Sequence, residues 1–121
     1  MARTALIVDD SASIRQMLGF TLGEAGFHVL EGVNGSDGLA ILQGKRVDLI
    51  ITDLNMPVMD GLAFIRAARS RTETKFTPIL MLTTESHAGK RQEAKAAGAT
   101  GWIVKPFNPV KLIDAIRRVA A

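Results

Sequence analysis

The chain has 121 residues, 47% of them hydrophobic, with no cysteine and a formal net charge of +3 at pH 7. That length supports one domain with an aliphatic core, residues 1–121, and the missing cysteines exclude a disulfide framework, a thiolate metal site and a cysteine nucleophile. No apolar run approaches the roughly 20 residues of a membrane span. Asp9 and Asp10 break any signal-peptide core, so a cytoplasmic protein without a membrane partner is expected.

Thr4–Val8 is β-branched and apolar and predicts a buried strand that runs straight into Asp9-Asp10. Ser11 or Ser13 can cap the helix that follows, where Ile14, Met17, Leu18, Leu22 and Ala25 recur at helical spacing and Gly26 stops the run. Phe27–Glu31 predicts a second strand. Asn34 or Ser36 then opens a helix carrying Leu39 and Leu42, closed by Gly44.

Val47–Ile51, interrupted by Asp48, predicts the third strand and leads through Thr52 to Asp53. Pro57 prevents the strand from continuing, and Met59-Asp60-Gly61 turns the chain into a third helix reaching about Ser70. Thr72–Thr77 is polar and reads as a loop. Pro78–Leu82 predicts strand four, followed by Thr83-Thr84-Glu85-Ser86. The helix from about His87 to Ala97 is rich in alanine and poor in large apolar residues, so it should be the least firmly docked. Thr100–Val104 predicts strand five, ending at Lys105-Pro106. Asn108 and Pro109 then start a last helix whose Leu112, Ile113, Ile116 and Val119 face inward.

Strict βα alternation with short connections argues for an α/β fold with a doubly wound parallel sheet. Five such strands fit the flavodoxin-like (βα)5 order 2-1-3-4-5. In that order the carboxyl ends of strands one, three, four and five share one rim. Asp9, Asp10, Asp53, Thr83 and Lys105 therefore converge, although Asp53 alone could simply cap a turn. Three close carboxylates repel each other unless a cation joins them, and an all-oxygen set suits Mg²⁺, with Mn²⁺ as an alternative. A lysine and a threonine beside them can hold phosphate oxygens. The set describes an aspartate that attacks phosphorus, with metal and lysine offsetting charge on the transferred group.

Asp9-Asp10, Asp53 with Met56-Pro57 and Met59-Asp60-Gly61, Thr83, and Lys105-Pro106-Phe107 resemble the receiver domain of two-component response regulators. The match spans the chain and is most similar to stand-alone, CheY-like chemotaxis regulators. Receiver domains are themselves a standard example of the 2-1-3-4-5 order, so the two readings count as one observation. The resemblance implies a phosphoacceptor switch, not an enzyme, which promotes its own phosphorylation and dephosphorylation. Asp53 would take a phosphoryl group from a sensor histidine kinase. Asp10 and Asp53 would ligate Mg²⁺ through carboxylates, Asn55 through its backbone carbonyl and Asp9 through a metal-bound water. Thr83 and Lys105 would bind phosphoryl oxygens, and the Lys105–Pro106 bond would be cis. Asn55 and Glu85 would tune the lifetime of the acyl phosphate. Trp102 stands where the family usually has Tyr or Phe, as the aromatic partner of the Thr83 switch. The output would be a changed helix-four, strand-five and helix-five face for a protein target, with the flagellar motor switch as one candidate. A monomer is expected.

Two alternatives differ in class: a receiver domain separated from the effector of a longer regulator, and a small Mg²⁺-dependent phosphatase with an Asp nucleophile. Against the phosphatase, the acidic pair after strand one is adjacent, without the intervening residue of a nucleophile-x-acid motif. Residues 1–60 hold four Lys/Arg against eight Asp/Glu, and residues 61–121 hold eleven against four. The basic residues are spread over several helices without aromatic interleaving, so no nucleic-acid partner is expected. Lys90, Arg91, Lys95 and Lys111 are either a basic docking face or a solvated surface. Asp48 and Asp60 read as turn and cap residues, His28 and His87 as surface or loop histidines, and Met56 and Met59 as loop packing. Gly32, Gly35 and Gly38 lack nucleotide-loop spacing.

Overall fold

Alternation along the first strand decides how the layers are arranged. In the computed structural model, which describes residues 3–84 and 87–120, the elements run β1 (Arg3–Val8), α1 (Ala12–Glu24), β2 (Phe27–Gly32), α2 (Gly35–Leu42), β3 (Leu49–Thr52), α3 (Gly61–Arg69), β4 (Ile79–Thr83), α4 (Ala88–Ala97), β5 (Gly101–Val104) and α5 (Pro109–Val119). Ala5 and Ile7 of β1 join one core cluster, with Leu49, Ile51, Leu80, Leu82, Leu18 and Leu22 of α1, and Leu112 and Ile116 of α5. Leu6 and Val8 point the other way and join Ile50, Ile79 and Met81 beneath α2, α3 and α4, where Leu42, Phe64, Ile65 and Ala94 pack. A period of two splits each strand between two helical layers.

All strand pairs are parallel and the sheet order is β2-β1-β3-β4-β5. This is the expected flavodoxin-like arrangement. The central strand β3 is buried at every residue, as a strand covered on both faces must be.

Caps fix where the helices begin. The Ser11 side chain accepts from the Ile14 N–H, Asn34 from Asp37 and Asp60 from Ala63, while Asn108 accepts from Val110 and Lys111. Ser11 and Asn34 are thus the caps between the candidates, and Ser13 and Ser36 are not. Asp48 ties the turn before β3 to β1, its carboxylate accepting from the Thr4 N–H at 2.7 Å.

The polar stretch 72–77 is a turn that exposes Thr72, Lys75 and Phe76 and turns two threonines inward. Thr74 and Thr77 are buried; the Thr74 hydroxyl donates to the Ala68 carbonyl at 2.6 Å. Arg69 holds the segment in place, donating to the carbonyls of Thr74 at 3.0 Å, Thr77 at 2.6 Å and Gly98 at 2.8 Å. Sequence patterning gave no sign of this clamp, because its acceptors are main-chain atoms. No helix among the described residues is long and apolar enough to cross a membrane.

Candidate functional site

Each site residue lies at or just beyond the carboxyl end of a strand, where side chains are released from the sheet toward one rim. Asp9 follows β1 and is 1% exposed; Asp53 follows β3 and is 8% exposed; Thr83 closes β4 and is fully buried. Their neighbours in the sheet fix the spacing. The Asp9 N–H donates to the Gly32 carbonyl, the Asp53 N–H to the Val8 carbonyl, and the Lys105 N–H to the Thr83 carbonyl at 2.7 Å. The last bond carries Lys105 back over the rim.

The Lys105 ammonium stands between two carboxylates, 2.8 Å from Asp9 Oδ2 and 3.3 Å from Asp53 Oδ2. The remaining oxygens are also engaged. Asp9 Oδ1 accepts from the Ser11 N–H at 2.9 Å, and Asp53 Oδ1 from the Leu54 N–H at 2.7 Å. Burial works against the charge on Lys105. The hydrogen bond to Asp9 and the fields of Asp53 and Asp9 outweigh it, so its pKa is raised above the ordinary lysine value.

Asp10 is exposed at the mouth of the site. One carboxylate oxygen from each of Asp9, Asp10 and Asp53 lies within 4.8 Å of the others. Three carboxylate oxygens so close together repel one another, and a divalent cation held among them would offset that repulsion. The all-oxygen donor set suits a hard cation such as Mg²⁺.

The turn between Asp53 and α3 passes very close to the site. A Cβ on Gly61 would fall 2.2 Å from the Asp53 carbonyl oxygen, so only glycine admits this approach. Val58 in the same turn has φ of 70°, and the Met59 N–H closes a γ-turn onto the Pro57 carbonyl at 2.8 Å. A β-branched residue in that region is strained.

Asn55 is exposed on this turn, two residues beyond Asp53. The Lys105–Pro106 bond is cis. Trp102 is half-buried on β5, paired in register with Met81 and packed on the α2–α3–α4 side of the core. Glu85 lies outside the described residues. Arg15 was missed by sequence reasoning, although it donates to the Asp9 carbonyl at 2.7 Å. Its position on α1 one turn after the cap was the available signal.

A half-buried lysine shared by two aspartates at the carboxyl edge of a 2-1-3-4-5 sheet, with a third carboxylate at the mouth, defines a receiver-type acidic site. The response regulator receiver domain matches residues 5–117, and the chain belongs to that family. More particularly, it is CheY-like. It is 36% identical over 115 residues to the chemotaxis protein CheY of Pseudomonas aeruginosa, covering 94% of this chain and 93% of that protein. The structure of Vibrio cholerae chemotaxis protein CheY4 matches with a TM-score of 0.94 and 53% identity, over 98% of this chain and 99% of that one. The receiver domain of a Pseudomonas aeruginosa sensor histidine kinase, 25% identical with a TM-score of 0.91 over 99% and 98% of the chains, has a magnesium ion coordinated in its active-site cleft.

Proposed function

We propose that this protein is a phosphorylation-driven switch of a chemotaxis-type two-component pathway, with Asp53 as the phosphoacceptor. The observation that carries the reading is Lys105 held between Asp9 and Asp53 at the rim of the sheet. Both Asp53 oxygens accept a hydrogen bond, Oδ1 from the Leu54 N–H and Oδ2 from Lys105, and Oδ2, the oxygen facing the ammonium, attacks phosphorus. The donor is a phosphohistidine of a sensor histidine kinase. As the O–P bond forms, the P–N bond breaks and the imidazole leaves with the electron pair. Lys105, already 3.3 Å from Oδ2, follows the transferred group and neutralises one of its oxygens.

Asp10 and Asp53 would hold Mg²⁺ through their carboxylates, Asn55 through its backbone carbonyl and Asp9 through a bound water; Mn²⁺ fits the same donors. When bound, the ion supplies positive charge to the phosphoryl oxygens. Asn55 and Glu85 tune how water reaches the acyl phosphate. Thr83, at the end of β4, offers its hydroxyl to the modified Asp53. Its movement makes room for Trp102, and the α4–β5–α5 face changes its affinity for a protein target. The relatives named for chemotaxis make the flagellar motor switch one candidate target. On this face Arg91, Gln92, Lys95 and Trp102 line a groove of about 340 Å³, and its basic rim favours an acidic segment.

The test is incubation with acetyl phosphate and Mg²⁺, followed by intact-mass measurement and Trp102 fluorescence. Wild type gains one phosphoryl group and changes its emission, while Asp53→Ala gains none. Incorporation by Asp53→Ala would remove Asp53 from its role, and an equal rate in excess EDTA would remove the metal. Multiple turnover on a simple phosphate ester would favour the phosphatase instead.

A further inference from the structure

Asp10 is the one carboxylate of the acidic group without a side-chain partner among the described residues. Its placement therefore depends on the backbone that carries it. The peptide joining Asp9 to Asp10 lies where β1 leaves the sheet. The Asp9 N–H still pairs with Gly32 of β2 at 3.1 Å, but the Asp9 carbonyl has no strand to accept from. Arg15 supplies the donor, its guanidinium reaching that carbonyl at 2.7 Å. The same guanidinium is anchored from the other side, Nε donating to Glu31 at the end of β2 at 3.2 Å. The Arg15 side chain is 16% exposed and Glu31 48%, so the brace is partly buried on the Asp9 side and open to water on the Glu31 side.

We propose that Arg15, steadied by Glu31, is a positioning residue of the metal site. By fixing the Asp9–Asp10 peptide it sets the direction of the Asp10 side chain, and so the geometry of the three carboxylates. The inference rests on reading Asp9, Asp10 and Asp53 as a Mg²⁺ site. A donor that orients a ligand without touching the ion commonly changes metal affinity by about 10- to 100-fold when removed.

The experiment is titration of the full chain with Mn²⁺ followed by the EPR signal of the free ion, with Mg²⁺ competition, and a urea midpoint for every variant. Arg15→Met weakens binding about tenfold. Arg15→Lys recovers most of the loss, because an ammonium can still reach the Asp9 carbonyl. Glu31→Gln weakens binding less than Arg15→Met. A purely structural role would lower the urea midpoint and leave the dissociation constant alone, and that result overturns the proposal. So does an Arg15→Lys variant that binds no better than Arg15→Met. If Arg15→Met does not fold, an unchanged constant in Glu31→Gln overturns it. Wild type that binds no Mn²⁺, or an Asp10→Asn variant that binds as wild type does, would instead bring down the metal-site reading beneath it.

Discussion

Arg69 and Lys105 show two ways in which a cation can be accommodated within this fold. Lys105 is matched by carboxylates, which favour its charged form. Arg69 is matched by main-chain carbonyls, and burial lowers its pKa below the usual arginine value. Its fork reaches the α4–β5 junction and the 72–77 turn at once, a geometry that lysine's single ammonium cannot copy. Arg69→Ala should therefore cost about 2–3 kcal/mol through several carbonyls left without donors, read as a shift in the urea midpoint. Arg69→Lys should recover less than half of that loss. An Arg69→Ala protein with an unchanged midpoint would show that water replaces the clamp.

At the scale of elements, α4 stands apart from its neighbours. Ala94 is its buried residue, whereas α5 inserts Leu112 and Ile116 into the core. The start of α4 is capped by an imidazole, His87 Nδ1 accepting from the Gly89 N–H at 3.1 Å. Its end is secured by Gly98 at φ of 120° and by the Arg69 contact to the Gly98 carbonyl. A helix fastened at its ends and weakly packed along its length should open without global unfolding. In native-state hydrogen exchange, α4 amides should exchange at least tenfold faster than α5 amides at neutral pH, an order of magnitude expected for local opening about 1.4 kcal/mol below the global event. Equal protection in the two helices would remove α4 as the pliable part of the switch.

For the whole molecule, the sheet concentrates negative charge at one rim, and Lys105 offsets part of it through its contacts to Asp9 and Asp53. The pKa of Lys105 is raised in the native state. Its stabilising contribution is therefore fully present below the unfolded lysine value of about 10.4 and is lost as pH rises through the higher native value. The chain has no tyrosine, so that alkaline window is not shared with phenol titration. Urea midpoints measured from about pH 9 to 12 should fall more steeply for wild type than for Lys105→Met. Lys105→Met should also start lower at neutral pH, because Asp9 and Asp53 are left facing each other, and should gain more from added Mg²⁺. Parallel pH curves for the two proteins would contradict the bridge.

The order of elements, the parallel sheet and the rim on which Asp9, Asp10, Asp53, Thr83 and Lys105 meet were all legible in the amino-acid sequence. Those features come from hydrophobic period, cap residues and the rule that strand ends in a parallel sheet share an edge, all of which are local or topological. Asp60 and Asn108 were readable as caps for the same reason. Packing in three dimensions was needed to show that Lys105 bridges Asp9 and Asp53, that Thr74 is buried, that Arg69 reaches Gly98 and that Arg15 links Asp9 to Glu31. Those contacts run from long, flexible cationic side chains to partners up to 96 residues away, several of them main-chain carbonyls that every residue possesses. A pattern of side chains cannot announce an acceptor that has no side-chain identity.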